Sequence, residues 1–123
     1  MEAQAIFDTV ARHLLAQNAK SYQEDGYTCA YRGADGRKCA AGVLLTDAEA
    51  SAYGEGWSWP IPDDFDPERD DVLDAANRIG HHSLVRRLQW VHDTYLPAEW
   101  LQELAYVGAA FGLDTSILDG VNP

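Results

Sequence analysis

Apolar residues recur at helical spacing in several stretches of this chain. In the first, residues 2–18, a stripe containing Ile6, Val10 and Leu14 is separated from polar positions such as Asp8 and Arg12. Apolar positions three to four residues apart are typical of an amphipathic helix that buries one face. We therefore expect the chain to open with a helix that packs on the core.

The same spacing predicts further helices along the chain. A short buried helix is expected at 39–45, and Thr46 with Glu49 has the spacing of a capping box that begins another helix ending near residue 54. Helices are also predicted at 67–80, at 84–95 and from Pro97 to about residue 111, with one further turn in the tail.

Residues 27–39 follow a different pattern. The stretch "YTCAYR" favours a strand, Asp35 and Gly36 favour a turn, and "RKC" follows as a possible partner strand. A two-stranded hairpin is marginal alone in water, so it would have to lie against the helices. The predicted fold is an α+β single domain over residues 1–123, mostly helical, with one β-hairpin packed on the helices.

The charge is the unusual feature of the composition. The 123 residues include 20 acidic and 9 basic ones, which gives a net charge of −11. Such a field repels nucleic-acid phosphates and anionic lipids, and it attracts basic protein surfaces. The N-terminus has acidic residues where an export signal needs positive charge, and no apolar stretch approaches membrane-spanning length. We expect a cytoplasmic protein in which Cys29 and Cys39 are reduced.

An acidic and aromatic segment, residues 55–74, is the first candidate site. It carries three prolines and is too long for a plain turn, and such connections are often functional. Tryptophan is a frequent interface anchor, and carboxylates speed encounter with a basic partner. The alternative is that both tryptophans close over the core as a lid. The candidate binding residues are Trp57, Trp59, Asp63, Asp64, Phe65, Asp66, Glu68, Asp70, Asp71 and Asp74, with Glu55 beside them.

A cysteine-dependent hydrolase or transferase is the competing hypothesis. Cys39 begins a predicted helix, where a thiolate is stabilised, and His92 and Asp93 follow in the chain order of a nucleophile, a base and an orienting carboxylate. Adjacent residues on a helix point about 100° apart, so we do not expect Asp93 to orient His92. The interpretation that burial statistics favour is that Cys39 is a small buried residue. The spacing of histidines, cysteines and carboxylates predicts neither a zinc site nor an EF-hand, and no cofactor is expected.

The sequence "CAYRGADGRKCAAG" at 29–42 resembles a motif of small, largely uncharacterised bacteriophage and prophage accessory proteins. In that pattern a C-x-Y-R strand, a glycine-containing turn and K-C-A-x-G are followed by a His-Asp segment, here "LQWVHD", and a Glu-Trp pair, here Glu99 and Trp100. The segment around 54–71 is longer and more acidic than in the pattern. The resemblance implies a phage accessory role and no particular catalysis.

Together these observations favour a protein that acts by binding. The predicted partner is a basic, nucleic-acid-handling bacterial protein, which an acidic surface could inhibit or recruit by occupying sites meant for phosphates. A counter-defence role such as anti-CRISPR activity is the concrete form of this hypothesis.

Overall fold

The computed structural model describes residues 1–21, 33, 36–53 and 78–119, and within these ranges the chain is mostly helical. The helices are α1 (Ala3–Gln17), α2 (Ala40–Leu44), α3 (Asp47–Tyr53), α4 (His82–Thr94) and α5 (Trp100–Ala110). Short 3-10 turns cover Pro97–Glu99 and Ser116–Leu118. Residues 78–79 are helical as well and lie directly before Gly80. The predicted helices within the described ranges are confirmed, including the turn in the tail.

Helix α1 lies at the centre of the described core. It packs against α2, α4, α5 and the second 3-10 turn, while α4 also packs on α2 and α5. Its buried residues, Ile6, Phe7, Val10, Ala11 and Leu14, form one stripe at helical spacing. The apolar stripe predicted from the sequence is therefore the face that organises the other helices.

The predicted β-hairpin, and with it the α+β class, is wrong for the part of the chain that the structure describes. Residues 37–39, expected as its second strand, do not form a strand, and no strand occurs elsewhere in the described ranges. The expected first strand, residues 27–32, lies outside the described residues. A tight turn is present, since the Gly36 N–H donates to the Gly33 carbonyl and the Gly33 N–H donates to the Arg37 carbonyl.

The backbone groups of Lys38 are held by side chains of α1. The Gln17 Oε1 accepts from the Lys38 N–H at 2.9 Å, and the Gln17 Nε2 donates to the Lys38 carbonyl at 2.9 Å. The His13 Nε2 also lies 2.8 Å from that carbonyl. The backbone groups of Lys38 are therefore satisfied by contacts with α1.

Helix α3 begins with the capping box that the sequence predicts. The Thr46 Oγ1 accepts from the Glu49 N–H at 3.1 Å, and the Glu49 carboxylate accepts from the Thr46 N–H at 2.8 Å. The same carboxylate lies 2.6 Å from the Arg78 guanidinium. Burial acts to raise the pKa of Glu49, but the hydrogen bonds from Thr46 and Arg78 and the arginine charge outweigh it, so this pKa is lowered.

Close approach of α5 to its neighbours requires a glycine at position 108. A methyl group built on Gly108 would overlap the Thr115 side chain and lie 3.2 Å from the Phe7 ring. This contact seats the C-terminal turn against α1 and α5. Among the described helices, none has the length and apolar character needed to cross a membrane.

Candidate functional site

All the predicted binding residues lie outside the described part of the chain. These are Glu55, Trp57, Trp59, Asp63, Asp64, Phe65, Asp66, Glu68, Asp70, Asp71 and Asp74. Both alternatives for the two tryptophans, interface anchors or a lid over the core, therefore remain predictions. The geometry that follows concerns the alternative site, Cys39, His92 and Asp93.

His92 is fully buried on α4, and both of its ring nitrogens have hydrogen-bond partners. The Ser21 N–H donates to Nε2 at 3.0 Å, and Nδ1 lies 2.8 Å from the Asp93 Oδ1. Because an amide can only donate, Nε2 must be the unprotonated nitrogen. The ring is therefore neutral, with its proton on Nδ1 directed at Asp93.

The expectation that Asp93 would not orient His92 is wrong. The 100° step between adjacent helix positions separates the Cα–Cβ directions, but the two side chains lean together until Nδ1 and Oδ1 are 2.8 Å apart. Asp93 is held in turn by α4 itself, since the Gln89 Nε2 donates to the same Oδ1 at 2.8 Å. The prediction took account of the Cα–Cβ directions only, and not of the length of the His92 and Asp93 side chains beyond Cβ.

The ring of His92 is also fixed by an aromatic contact. It stacks on the buried indole of Trp100, with centroids 5.6 Å apart and planes inclined by 27°. The Trp100 Nε1 donates to the Tyr95 carbonyl at 3.1 Å, which anchors the indole where α4 ends. His92 thus joins α4 to α5 through its face and to Ser21 through its edge.

Ser21 is the residue of this cluster that sequence reasoning missed. It is fully buried, and besides its bond to His92 it donates from Oγ to the Arg37 carbonyl at 3.1 Å. A serine after a polar stretch carries no local signal of burial. Its contacts are with residues 16 and 71 positions away, which no local pattern can reveal.

Cys39 serves as the N-terminal cap of α2. Its Sγ accepts from the Gly42 N–H at 3.3 Å, and the side chain is 1% exposed. It carries a reduced thiol. A capping thiol satisfies an amide that the first turn of a helix would otherwise leave unpaired, which is a structural role.

The cluster lacks the arrangement that nucleophilic catalysis needs. A base must present a ring nitrogen to the nucleophile while its other nitrogen is held by an orienting group. Asp93 could be that orienting group, but the Nε2 lone pair of His92 is occupied by the Ser21 amide. Cys39 is buried at the start of α2. Among the described residues there is also no group of three or more histidines, cysteines and carboxylates that could hold a metal ion.

An exposed aromatic and basic pair on α4 was not singled out from the sequence. The Arg87 guanidinium lies 4.3 Å from the ring centroid of Trp90, which is 39% exposed, and the Tyr95 ring meets that indole edge-on at 5.2 Å. An arginine three positions before a tryptophan on a helix is the signal that could have found it. Tryptophan, tyrosine and arginine are the residues most enriched at energetic centres of interfaces.

A cleft of about 430 Å³ lies between α5 and the C-terminal 3-10 turn. Its apolar lining residues include Leu101, Ala105 and Leu118, and its polar ones are Gln102, Thr115 and Asp119. The Gln102 amide already donates to the Tyr106 hydroxyl at 2.8 Å. The described residues that line the cleft include no pair of acid and base groups that would indicate a reaction.

Comparison with known proteins finds no match for this chain. No family model matches the sequence, and no curated protein or solved structure is similar to it.

Proposed function

We propose that this protein acts by binding a basic, nucleic-acid-handling bacterial protein as an inhibitor or adaptor. The observation that carries the proposal is the uneven distribution of charge along the sequence. Eight of the 20 acidic residues fall within residues 55–74, and Arg69 is the only basic residue there. Carboxylates concentrated in this way can occupy a surface built to hold phosphates.

The described residues support binding over catalysis. Cys39 and His92, the candidates for nucleophile and base, are both buried. Cys39 caps α2, and His92 joins α4 to Ser21 and to Trp100 of α5. The exposed Trp90 with its stacked Arg87 supplies a second feature common at interfaces. The side chains that could have served a reaction thus stabilise the fold, whereas the exposed Trp90 and the Arg87 stacked on it are of residue types common at interfaces.

The resemblance to phage accessory proteins gives the proposal its concrete form. Small phage proteins benefit from blocking bacterial defence complexes, many of which hold nucleic acid in basic channels. An anti-CRISPR or similar counter-defence role in the bacterial cytoplasm fits a protein of this size and charge, acting as a nucleic-acid mimic.

A charge-matched comparison tests the proposal. The variant Asp70→Lys/Asp71→Lys changes the acidic segment, and the control Glu103→Lys/Asp119→Lys makes the same change in net charge elsewhere. Each would be expressed in a CRISPR-carrying strain, and phage plaques counted alongside binding of the purified effector complex at rising salt. The proposal predicts that the native chain and the control restore plaques and bind, while the segment variant does neither.

Two results would contradict the proposal. If the native protein neither protects phage nor binds any of a panel of purified defence complexes, the counter-defence role is wrong. If both double variants lose binding equally, net charge and not the acidic segment carries recognition.

A further inference from the structure

The contact between His92 and Ser21 can be made by only one protonation state of the ring. Nε2 accepts from the backbone N–H of Ser21 at 3.0 Å, and both residues are fully buried. A ring protonated on both nitrogens would turn Nε2 into a donor facing another donor. No water competes easily for either group at such a site, so the charged ring and the amide cannot both be satisfied there.

Ser21 connects this ring to a second stretch of chain. Its N–H reaches α4, while its Oγ donates to the Arg37 carbonyl at 3.1 Å. Ser21 and Arg37 flank residues 22–36, so one buried serine holds both ends of that stretch together. The ring of His92 fixes the position of this serine against α4.

We propose that His92 is a proton-sensitive clamp that releases Ser21 from α4 when Nε2 takes up a proton. In the neutral state the ring holds Ser21 through Nε2 and Asp93 through Nδ1. In the charged state Nδ1 keeps its carboxylate partner, and the side of the ring facing Ser21 becomes repulsive. Protonation therefore weakens the anchoring of Ser21 to α4 while leaving the His92 contact with Asp93 intact.

Charged and titratable groups lie on the elements that pack with α4. On α4 itself there is Asp93, whose carboxylate contacts the ring and whose carbonyl accepts from the Lys20 ammonium at 3.1 Å. Arg37 lies beyond Ser21, His13 of α1 contacts the Lys38 carbonyl, and the thiol that caps α2 contacts Gly42. Helix α5 presents the uncharged indole of Trp100 to the face of the ring. The Asp93 carboxylate is thus the negatively charged group that would stay paired with a protonated His92 ring.

The clamp predicts a quantitative link between proton uptake and local opening. If the closed contact requires an unprotonated Nε2, opening is coupled to the uptake of one proton. Once the open ring is protonated, the equilibrium constant for opening should increase about tenfold for each unit by which the pH falls. Histidine in its unperturbed form changes charge between about pH 5 and 8, which is the range to examine.

Amide hydrogen exchange by NMR from pH 8 to pH 5 tests the clamp. After correction for intrinsic exchange, the protection of the Ser21 amide should fall toward acid pH. The Asn18 amide, which donates to the Leu14 carbonyl at 2.8 Å, should keep its protection and so report that α1 stays folded. Nitrogen shifts of the His92 ring should identify Nδ1 as the protonated nitrogen at pH 8.

The variant His92→Gln is the matched control. A glutamine side chain places an amide oxygen near the position of Nε2, so it can accept from Ser21 but does not titrate. The fall in Ser21 protection should disappear in this variant. An unchanged fall in His92→Gln, a ring protonated on Nε2 at pH 8, or Ser21 protection that stays constant in the native protein would overturn the proposal. The last two are read from the native protein and do not depend on the variant folding.

Discussion

Gln17 gives the sharpest test of how the stretch at residues 36–39 is held. Its side chain makes three hydrogen bonds with backbone groups: with the Lys38 N–H and carbonyl, both at 2.9 Å, and with the Ala19 carbonyl at 2.7 Å. The variant Gln17→Leu keeps the approximate shape of the side chain and removes all three. We expect it to destabilise the protein measurably.

The magnitude follows from what each partner retains. A hydrogen bond within a protein contributes about 0.5–1.5 kcal/mol net, and these bonds are only partly buried, which favours the lower half of that range. The Lys38 carbonyl keeps its contact with His13, whereas no other partner is described for the Lys38 N–H. We expect a loss of about 2 kcal/mol in the free energy of unfolding.

Urea unfolding followed by circular dichroism measures this loss, with Gln102→Leu as the control. The Gln102 side chain donates to the Tyr106 hydroxyl on the same helix and is exposed, so its replacement should change stability by less than about 0.5 kcal/mol. If Gln17→Leu were as neutral as the control, the three Gln17 hydrogen bonds would contribute little to holding this stretch. That result would refute the account of this region.

Three further predictions follow from single contacts. Gly108→Ala should cost about 1–3 kcal/mol of stability by thermal melting, because the added methyl group has no room, and a neutral result would contradict the close approach seen at this position. Because the pKa of Glu49 is lowered in the folded state, its ion pair with Arg78 stabilises the protein at pH values above 4.5, the ordinary pKa of a glutamate. The difference in stability between the native protein and Glu49→Gln should therefore shrink as the pH falls below 4.5. A difference that stays constant would count against the pairing. His92→Asn, which leaves the buried Ser21 amide without an acceptor, should be about 1–3 kcal/mol less stable than His92→Gln in urea, and equal stability would mean that the Ser21 contact contributes little.

Local patterns were enough to predict the helices. The stripe of α1 and the capping box at Thr46 and Glu49 involve residues a few positions apart, so spacing and side-chain chemistry carry the information. The buried face of α1 could be identified for the same reason. These are features in which the chain interacts with its own immediate neighbours.

Contacts between distant residues are what local patterns could not predict. The strand propensity and turn at residues 27–39 suggested a hairpin, but residues 37–39 do not form a strand, and β-propensity depends strongly on context. The backbone of Lys38 is held by the side chain of Gln17, which lies 21 positions before it. The clamp of Ser21 by His92 spans 71 positions and likewise has no local signature.

The candidate site was partly accessible from the sequence. The sequence predicts His92 and Asp93 as members of one candidate site but not in contact, whereas the structure brings the two together at 2.8 Å. Their role could not be deduced, because it depends on which group meets Nε2. The binding role of the acidic segment at 55–74 remains a prediction from the sequence.

The central claim is that the residues with catalytic potential, Cys39 and His92, stabilise the fold, which is the premise of the proposal that the protein acts by binding. Iodoacetamide labelling of Cys39 at neutral pH, in a Cys29→Ser background, tests it most directly. A buried capping thiol should react about a hundredfold or more slowly in the folded protein than in urea, because reaction requires local opening. A folded-state rate as fast as that of an exposed thiol, or faster, would reveal an accessible thiolate and contradict the account.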